Sequence, residues 1–121
     1  METRAELKRQ YKEMPNQPGV FLITNTANGK ILLGSSANLY GLLNRHRFLL
    51  SSGLHWNKQL QQDWKQFGAD CFNFEVVEVI EVKDDPAFNL EEELSLLEEV
   101  WLEKTQPFGE RGYNKDSKIR E

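Results

Sequence analysis

The chain has 121 residues, of which 39% are hydrophobic and 28% charged, and its formal net charge is −4. This length suits one domain, and the composition is that of a globular protein. One cysteine excludes an internal disulfide and a cysteine-rich metal cage, and no apolar run is long enough to span a membrane. We therefore expect a single domain over residues 1–121. Because the first ten residues, METRAELKRQ, are charged rather than apolar, we also expect it to be cytoplasmic and not to contact a membrane.

A capping-box spacing near the start predicts a short N-terminal helix that ends at Pro15. The segments GVFLIT, from Gly19, and KILLG, up to Gly34, predict two short strands. Between them, the pair Asn28-Gly29 supplies the positive φ angles that a hairpin turn requires. The first two strands are therefore expected to pair with each other.

Two helices are predicted next. Asn38 is a good helix cap, Gly53 a good helix end, and the leucines between them recur at helical spacing. The second stretch, WNKQLQQDWKQFG, keeps the same spacing from Trp56 to Gly68. We expect Trp56 and Trp64 to pack in the core.

The segment CFNFEVVEVIEV alternates apolar and polar residues, which predicts a strand with one buried face that ends near Pro86. Asn89 then caps a last helix with a core stripe that includes Leu97 and Trp101. The predicted order of elements is α-β-β-α-α-β-α.

This order, together with the strand GVF, the hairpin, the second strand ending in Gly34 and the late tripeptide GYN, resembles the GIY-YIG endonuclease family. The resemblance covers residues 18–115 and also includes the segments NTANGK, GSSANL, SGLHWNKQLQQDW, FNFEVVEVI and LLEEVWLEK. It implies an α+β fold in which helices flank a small, mostly antiparallel three-stranded sheet, preceded here by the N-terminal helix.

The resemblance also implies a mechanism. Family members use one divalent metal held by a helix glutamate, two strand tyrosines of which the first helps activate water, and an arginine at the phosphate. By motif, the glutamate corresponds to Glu98 and a closing asparagine to Asn114, and this chain retains both. The tyrosines and the arginine correspond to Phe21, Leu32 and Leu42, which supply neither a hydroxyl nor a charge.

Glu98 lies on the flank of the apolar stripe of the last helix, from which it could face a pocket. The alternative is that Glu98 is one more surface acid on an acidic helix. As the only acidic ligand carried over, Glu98 would hold a metal weakly, so we expect no tightly bound cofactor. Mg²⁺ or Mn²⁺ would be needed only if the chain is an active nuclease.

The candidates for nucleic-acid contacts are Arg45, Arg47, His55 and Lys58. The two arginines are as well explained as ordinary surface cations, and His55 could cap the second helix instead of binding phosphate. His46 lies on the leucine face of its helix, so we expect a hydrogen-bonded histidine in the core or at its edge.

Residues 1–70 carry nine Lys and Arg against five Asp and Glu, whereas residues 71–121 carry six against fourteen. This leaves a basic face on the N-terminal half open, although a merely solvated surface would look the same. Most of the acids lie in the C-terminal half.

We therefore expect a GIY-YIG fold with impaired or lost catalysis that binds nucleic acid, such as DNA, or a protein. A first alternative is an active metal-dependent DNA endonuclease whose site is rebuilt around Glu98, Asn114, His55 and Arg45. A second is a protein-interaction domain with no nucleic-acid role, which the acidic C-terminal half favours. The sequence leaves the partner, its sequence specificity and the oligomeric state open.

Overall fold

The computed structural model describes residues 17–115, so the predicted N-terminal helix lies outside the described residues. The strands are Gly19–Asn25 (β1), Ile31–Ser36 (β2) and Phe72–Val79 (β3), and the helices are Leu39–Ser52 (α1), Lys58–Phe67 (α2) and Leu90–Thr105 (α3). These six elements follow the predicted order and confirm the α+β fold. Within residues 17–115, no helix is both long and apolar enough to cross a membrane.

The three strands form one antiparallel sheet with β1 in the middle, in the order β2-β1-β3. The predicted hairpin joins β1 to β2, but Gly29 alone of the turn pair has a positive φ, at 78°. Asn28 instead accepts a hydrogen bond from the backbone N–H of Lys30 through its side chain. The turn therefore needs one left-handed residue and one side-chain acceptor, not two left-handed residues.

Each face of the sheet is covered by helix. Helices α1 and α2 pack on the face that carries Phe21 and Ile23, and helix α3 packs on the opposite face. The buried residues of the first core cluster are Phe21, Ile23, Leu39, Leu43, Leu50, Leu60, Phe72 and Tyr113. The second core cluster consists of Val20, Leu22 and Leu33, against which Leu97, Trp101 and Leu102 of α3 pack. Because neighbouring residues of a strand point to opposite faces, β1 contributes to both clusters.

Strand β3 changes phase where it pairs with β1. Val20 is opposite Glu78 and Phe21 is opposite Val76, so Val77 is an extra residue in a β-bulge. Val76 packs with the first core cluster and Val77 with the second. The bulge explains why the alternation in the sequence shifts by one position in the middle of the segment.

Helix α1 begins and ends at the predicted cap residues. The side chain of Asn38 accepts a hydrogen bond from the N–H of Gly41, and Gly53 ends the helix in the left-handed conformation with a φ of 78°. Helix α2 starts later than the spacing predicted, because Asn57 is its cap and accepts from the N–H of Leu60 at 3.1 Å. These caps fix the loop between the two helices.

The prediction that Trp56 packs in the core was wrong. It precedes the cap of α2, and 58% of its surface is exposed. Trp64 is half-buried, with its ring centroid 5.1 Å from that of Phe72. The physical reason is that Asn57 caps the helix with its side chain, which places Trp56 in the loop despite its helical spacing from Leu60.

Candidate functional site

Three of the predicted site residues contact strand β2 at three consecutive positions, 33, 34 and 35. Phe21 lies on β1 directly opposite Gly34, and its ring covers that glycine. A Cβ atom added at Gly34 would lie 2.6 Å from Cζ of Phe21, so only glycine leaves room for the ring. The side chain of Phe21 is 2% exposed and belongs to the first core cluster.

Asn114 contacts β2 at Leu33. Its side-chain oxygen accepts from the N–H of Leu33, and its side-chain NH₂ donates to the C=O of the same residue, both at 2.8 Å. The backbone N–H of Tyr113 donates to the C=O of Ile31 at 2.8 Å, and Gly112 forms a parallel bridge with the same residue. Residues 112–114 therefore lie along the outer edge of β2, and the side chain of Asn114 completes the pairing.

Glu98 contacts β2 at Ser35. It projects from α3, on the face of the sheet opposite the Phe21 ring, and its carboxylate accepts a hydrogen bond from Ser35 Oγ at 3.2 Å. Phe21 and Glu98 thus reach neighbouring residues of β2 from opposite faces of the sheet. The structure brings them to one strand, and the catalytic and metal-binding roles carried over from the resemblance stay predictions.

Glu98 is not part of a larger cluster of metal-ligand side chains in the part of the chain that the structure describes. Among residues 17–115, no group of three or more His, Cys, Asp or Glu side chains is placed to hold a metal ion. A divalent cation at Glu98 would therefore take most of its ligands from water or from a bound phosphate.

Leu32 and Leu42 lie on the same side of the sheet as Phe21. Leu32 is opposite Ile23 in the β1–β2 pairing, and both leucines are half-buried and pack against the first core cluster. The positions that the resemblance assigns to two tyrosines and an arginine are thus filled by apolar side chains of the first core cluster or its edge, and the ring of Phe21 also lies 5.3 Å from that of His46. The two leucine side chains themselves offer an anion neither a hydrogen-bond donor nor a charge.

His46 and His55 form a buried pair, with His46 Nδ1 and His55 Nε2 2.7 Å apart. His55 Nδ1 accepts from the N–H of Asn57 at 3.0 Å, so in the neutral ring the proton is on Nε2 and is donated to His46. Burial lowers the pKa of His46 from 6.5 to about 4, with smaller effects of His55 and Arg45. Burial also lowers the pKa of His55. Both rings are therefore neutral at pH 7.

These contacts confirm the expectation that His46 is a hydrogen-bonded core histidine. They also place His55, a candidate phosphate contact, inside the protein, where 6% of its surface is exposed. Both ring nitrogens of His55 bind protein groups. In this arrangement the imidazole supports the start of α2 through Asn57.

The three predicted basic contacts are all exposed. The guanidinium of Arg47 lies 4.5 Å above the ring of Phe74, beside an open groove of about 430 Å³ between α1, α2 and β3. Arg45 flanks the buried His46, and Lys58 begins α2. Arg47 thus lies on the β3 side of α1, away from the contacts that Phe21, Asn114 and Glu98 make with β2.

Charge is segregated between the two faces of the sheet. Helices α1 and α2 carry four basic residues and one acidic residue, whereas α3 carries six glutamates and one lysine. No Asp or Glu occurs between residues 17 and 62. The sequence allowed for a basic face on the N-terminal half, and in the structure this face lies on the side of α1 and α2.

A second polar cluster, which the sequence indicated only through the GYN tripeptide, surrounds Tyr113. Its hydroxyl donates to Asp63 at 2.7 Å and accepts from the side-chain NH₂ of Asn25 at 3.1 Å. Burial raises the pKa of Tyr113 to about 12. This cluster ties the C-terminal segment to α2 and to the end of β1.

The sequence prediction missed the role of Ser35 and the exposure of Trp56. A signal for Ser35 is its position directly after Gly34, with which the predicted second strand ends, since a strand that continues by one residue carries this hydroxyl on the face opposite to Gly34. A signal for Trp56 is the cap spacing of Asn57 and Leu60, which leaves Trp56 outside the helix.

Comparison with known proteins agrees with this architecture. The sequence model of the GIY-YIG catalytic domain matches residues 17–114. The catalytic domain of homing endonuclease I-TevI has a similar fold, with a TM-score of 0.65 and 24% identity over 83% of this chain and 99% of that chain. A glutamate-to-alanine mutant of the catalytic domain of intron endonuclease I-TevI gives a TM-score of 0.63 and 23% identity over 81% and 92%. No curated protein sequence matches the chain.

Proposed function

Because this chain belongs to the GIY-YIG catalytic domain family, we propose that it is a nucleic-acid-binding module that has lost the family's phosphodiester hydrolysis. The observation that carries the proposal is the environment of Phe21, at the position where the resemblance expects a tyrosine that helps activate water. Its ring is buried over Gly34 in the first core cluster. A phenyl ring can neither accept a proton from water nor donate one to an oxyanion.

The other candidate positions support the same conclusion. Leu32 and Leu42 add no donor or charge, and loss of one preorganised electrostatic group already costs about 10²–10³ in rate. The rebuilt-site alternative needs His55 and Asn114 to act on substrate. In the structure, the polar atoms of both side chains bind protein groups instead.

The choice of nucleic acid over protein as the partner is supported by the charge segregation. Arg45 and Lys58 project from the α1–α2 side, which faces away from the glutamates of α3. A phosphate backbone is attracted to such a face and repelled by α3. The proposal therefore places the bound nucleic acid on α1 and α2.

Binding is tested by titrating labelled DNA and RNA oligonucleotides with the purified chain over a series of salt concentrations. We expect the logarithm of the affinity to fall linearly with the logarithm of salt concentration, because each phosphate contact releases a counterion. Arg45→Ala and Lys58→Ala should each reduce this slope by about one. The matched control is Lys104→Ala, a lysine on α3, which should leave the slope unchanged.

Catalysis is tested with supercoiled plasmid and Mg²⁺ or Mn²⁺. We expect no nicking above the buffer control from the wild type, and no change with Glu98→Ala. Nicking by the wild type that Glu98→Ala abolishes would refute the loss of catalysis.

The converse experiment restores the missing groups with Phe21→Tyr, Leu32→Tyr and Leu42→Arg together. Nicking by this triple variant, removed by adding Glu98→Ala, would locate the lost chemistry at these three positions. If the triple variant is folded and stays inactive, the missing groups alone do not explain the lost activity.

A further inference from the structure

Trp56 is an exposed aromatic side chain that the proposed function does not use. Its ring stacks on that of His55 with a centroid distance of 4.2 Å and an interplanar angle of 23°. The ring of His46 lies 4.9 Å away at 48°. Even so, 58% of Trp56 is exposed. The indole is thus held against two imidazoles while much of its surface faces solvent.

The histidine under Trp56 is fixed in orientation. His55 donates to His46 Nδ1 and accepts from the N–H of Asn57, and its own backbone N–H donates to the side-chain oxygen of Gln61 at 3.0 Å. All three partners are part of the folded α1–α2 unit. Little side-chain entropy of the protein would therefore be lost when a ligand stacks on Trp56, because the ring is already positioned.

The electrostatic surroundings of Trp56 are positive. Lys58 follows it by two residues at the start of α2, and Arg45 lies beside His46 on α1, and both cations are exposed. The stretch from residue 17 to residue 62 has no acidic residue. An exposed indole with a cation on each of the two neighbouring helices is complementary to a base and its flanking phosphates.

We propose that Trp56 is a stacking platform for an unpaired base of the nucleic acid bound on the α1–α2 side. This inference rests on the proposed function and narrows its ligand class to single strands or to duplexes with an unpaired or displaced base. The reason is geometric, since a base stacked within a duplex has both faces covered, whereas an unpaired base offers one to the indole. The neighbouring Leu54, 71% exposed, extends the apolar surface beside the ring.

The test measures affinities by fluorescence anisotropy for a labelled 20-nucleotide single strand and for the matching blunt duplex. Trp56→Ala should weaken single-strand binding by about tenfold or more, which is the usual effect of removing one stacked base contact. Trp56→Phe keeps an aromatic face and should lose less. The matched control is Phe48→Ala, because Phe48 is an aromatic residue of α1 that is 67% exposed.

Two further readouts separate stacking from charge and from misfolding. The salt dependence of binding should be unchanged in Trp56→Ala, because the substitution removes no cation. The thermal unfolding midpoints of the variants identify any loss that is due to unfolding. Quenching of tryptophan emission on single-strand binding that is absent in Trp56→Phe would report the contact directly.

The outcomes distinguish the two proposals. If the wild type binds nucleic acid with the expected salt dependence and folded Trp56→Ala binds equally well, the platform is refuted and the proposed function stands. An equal loss for the single strand and the duplex also refutes the platform. If the wild type binds neither ligand even at low salt, both proposals fail.

Discussion

Acidification should destabilise the protein through the buried His46–His55 pair. The pKa of His46 is about 4 in the folded protein, against 6.5 for an ordinary histidine. The unfolded chain therefore binds more protons between these two values, and the free energy of unfolding falls as the pH drops from about 6.5 towards 4. Well above pH 6.5, His46 is neutral in both states and contributes no pH dependence.

The size of the effect follows from the same two values. One pKa unit corresponds to about 1.4 kcal/mol, so protonation of His46 accounts for about 3 kcal/mol in full and ~2.5 kcal/mol at pH 4.5. Small domains are stable by only about 5–15 kcal/mol, so this loss is readily measured. His55 adds to it in the same direction, since its pKa is also lowered.

The variant His46→Asn isolates this contribution. Asparagine cannot titrate, and its side-chain oxygen can take the place of Nδ1 as the acceptor for His55. Urea unfolding of the wild type and the variant, followed by circular dichroism between pH 7.5 and pH 4.5, gives both free energies. We expect the wild type to lose ~2.5 kcal/mol more than the variant over this range, because the carboxylates titrate alike in both. Parallel curves would refute the assignment of a low pKa to His46.

Two further predictions concern strand β2. Asn114→Ala should lower the free energy of unfolding by about 1–3 kcal/mol, because it leaves the N–H and C=O of Leu33 without their partners. Gly34→Ala should cost about 1–3 kcal/mol, because its Cβ would meet Cζ of the buried Phe21 at 2.6 Å. Chemical denaturation at pH 7 measures both losses.

Each of these predictions has a control. Lys115→Ala, at the exposed residue that follows Asn114, should be neutral, and an equal loss there would show that the asparagine contacts are not the cause. For Gly34→Ala, the cost should shrink by about 1 kcal/mol in a Phe21→Leu background, since residues in contact are coupled. Strict additivity of the two substitutions would argue against the clash.

Local signals account for what could be predicted from the sequence. Asn38 and Gly53 bracket α1, and the hairpin around Gly29 is present, because caps and turns depend on residues a few positions apart. The same local chemistry explains the error at Trp56. Its spacing fits a helix, but the cap at Asn57 decides where α2 begins.

The arrangement of the candidate site could be predicted only in part. The resemblance placed Phe21 and Leu32 on neighbouring strands, and they are. It could not show that Asn114 pairs with the backbone of Leu33. The contact spans 81 positions, and the backbone groups that it pairs are the same in every residue, so no sequence pattern marks them. Nor could helix periodicity show that Glu98 contacts Ser35 on the face of the sheet opposite to the Phe21 ring.

The C-terminal segment that lies along β2 also affects how the chain folds during synthesis. Strand β2 emerges from the ribosome before the C-terminal segment, so Leu33 must wait for Asn114, 81 residues later, before its outer N–H and C=O are paired. At about 5–20 residues per second, this edge stays open for several seconds on every nascent chain. An open strand edge is a template for pairing with another chain. The outer edge of the hairpin is therefore open to pairing with other chains during synthesis until residues 112–114 are released.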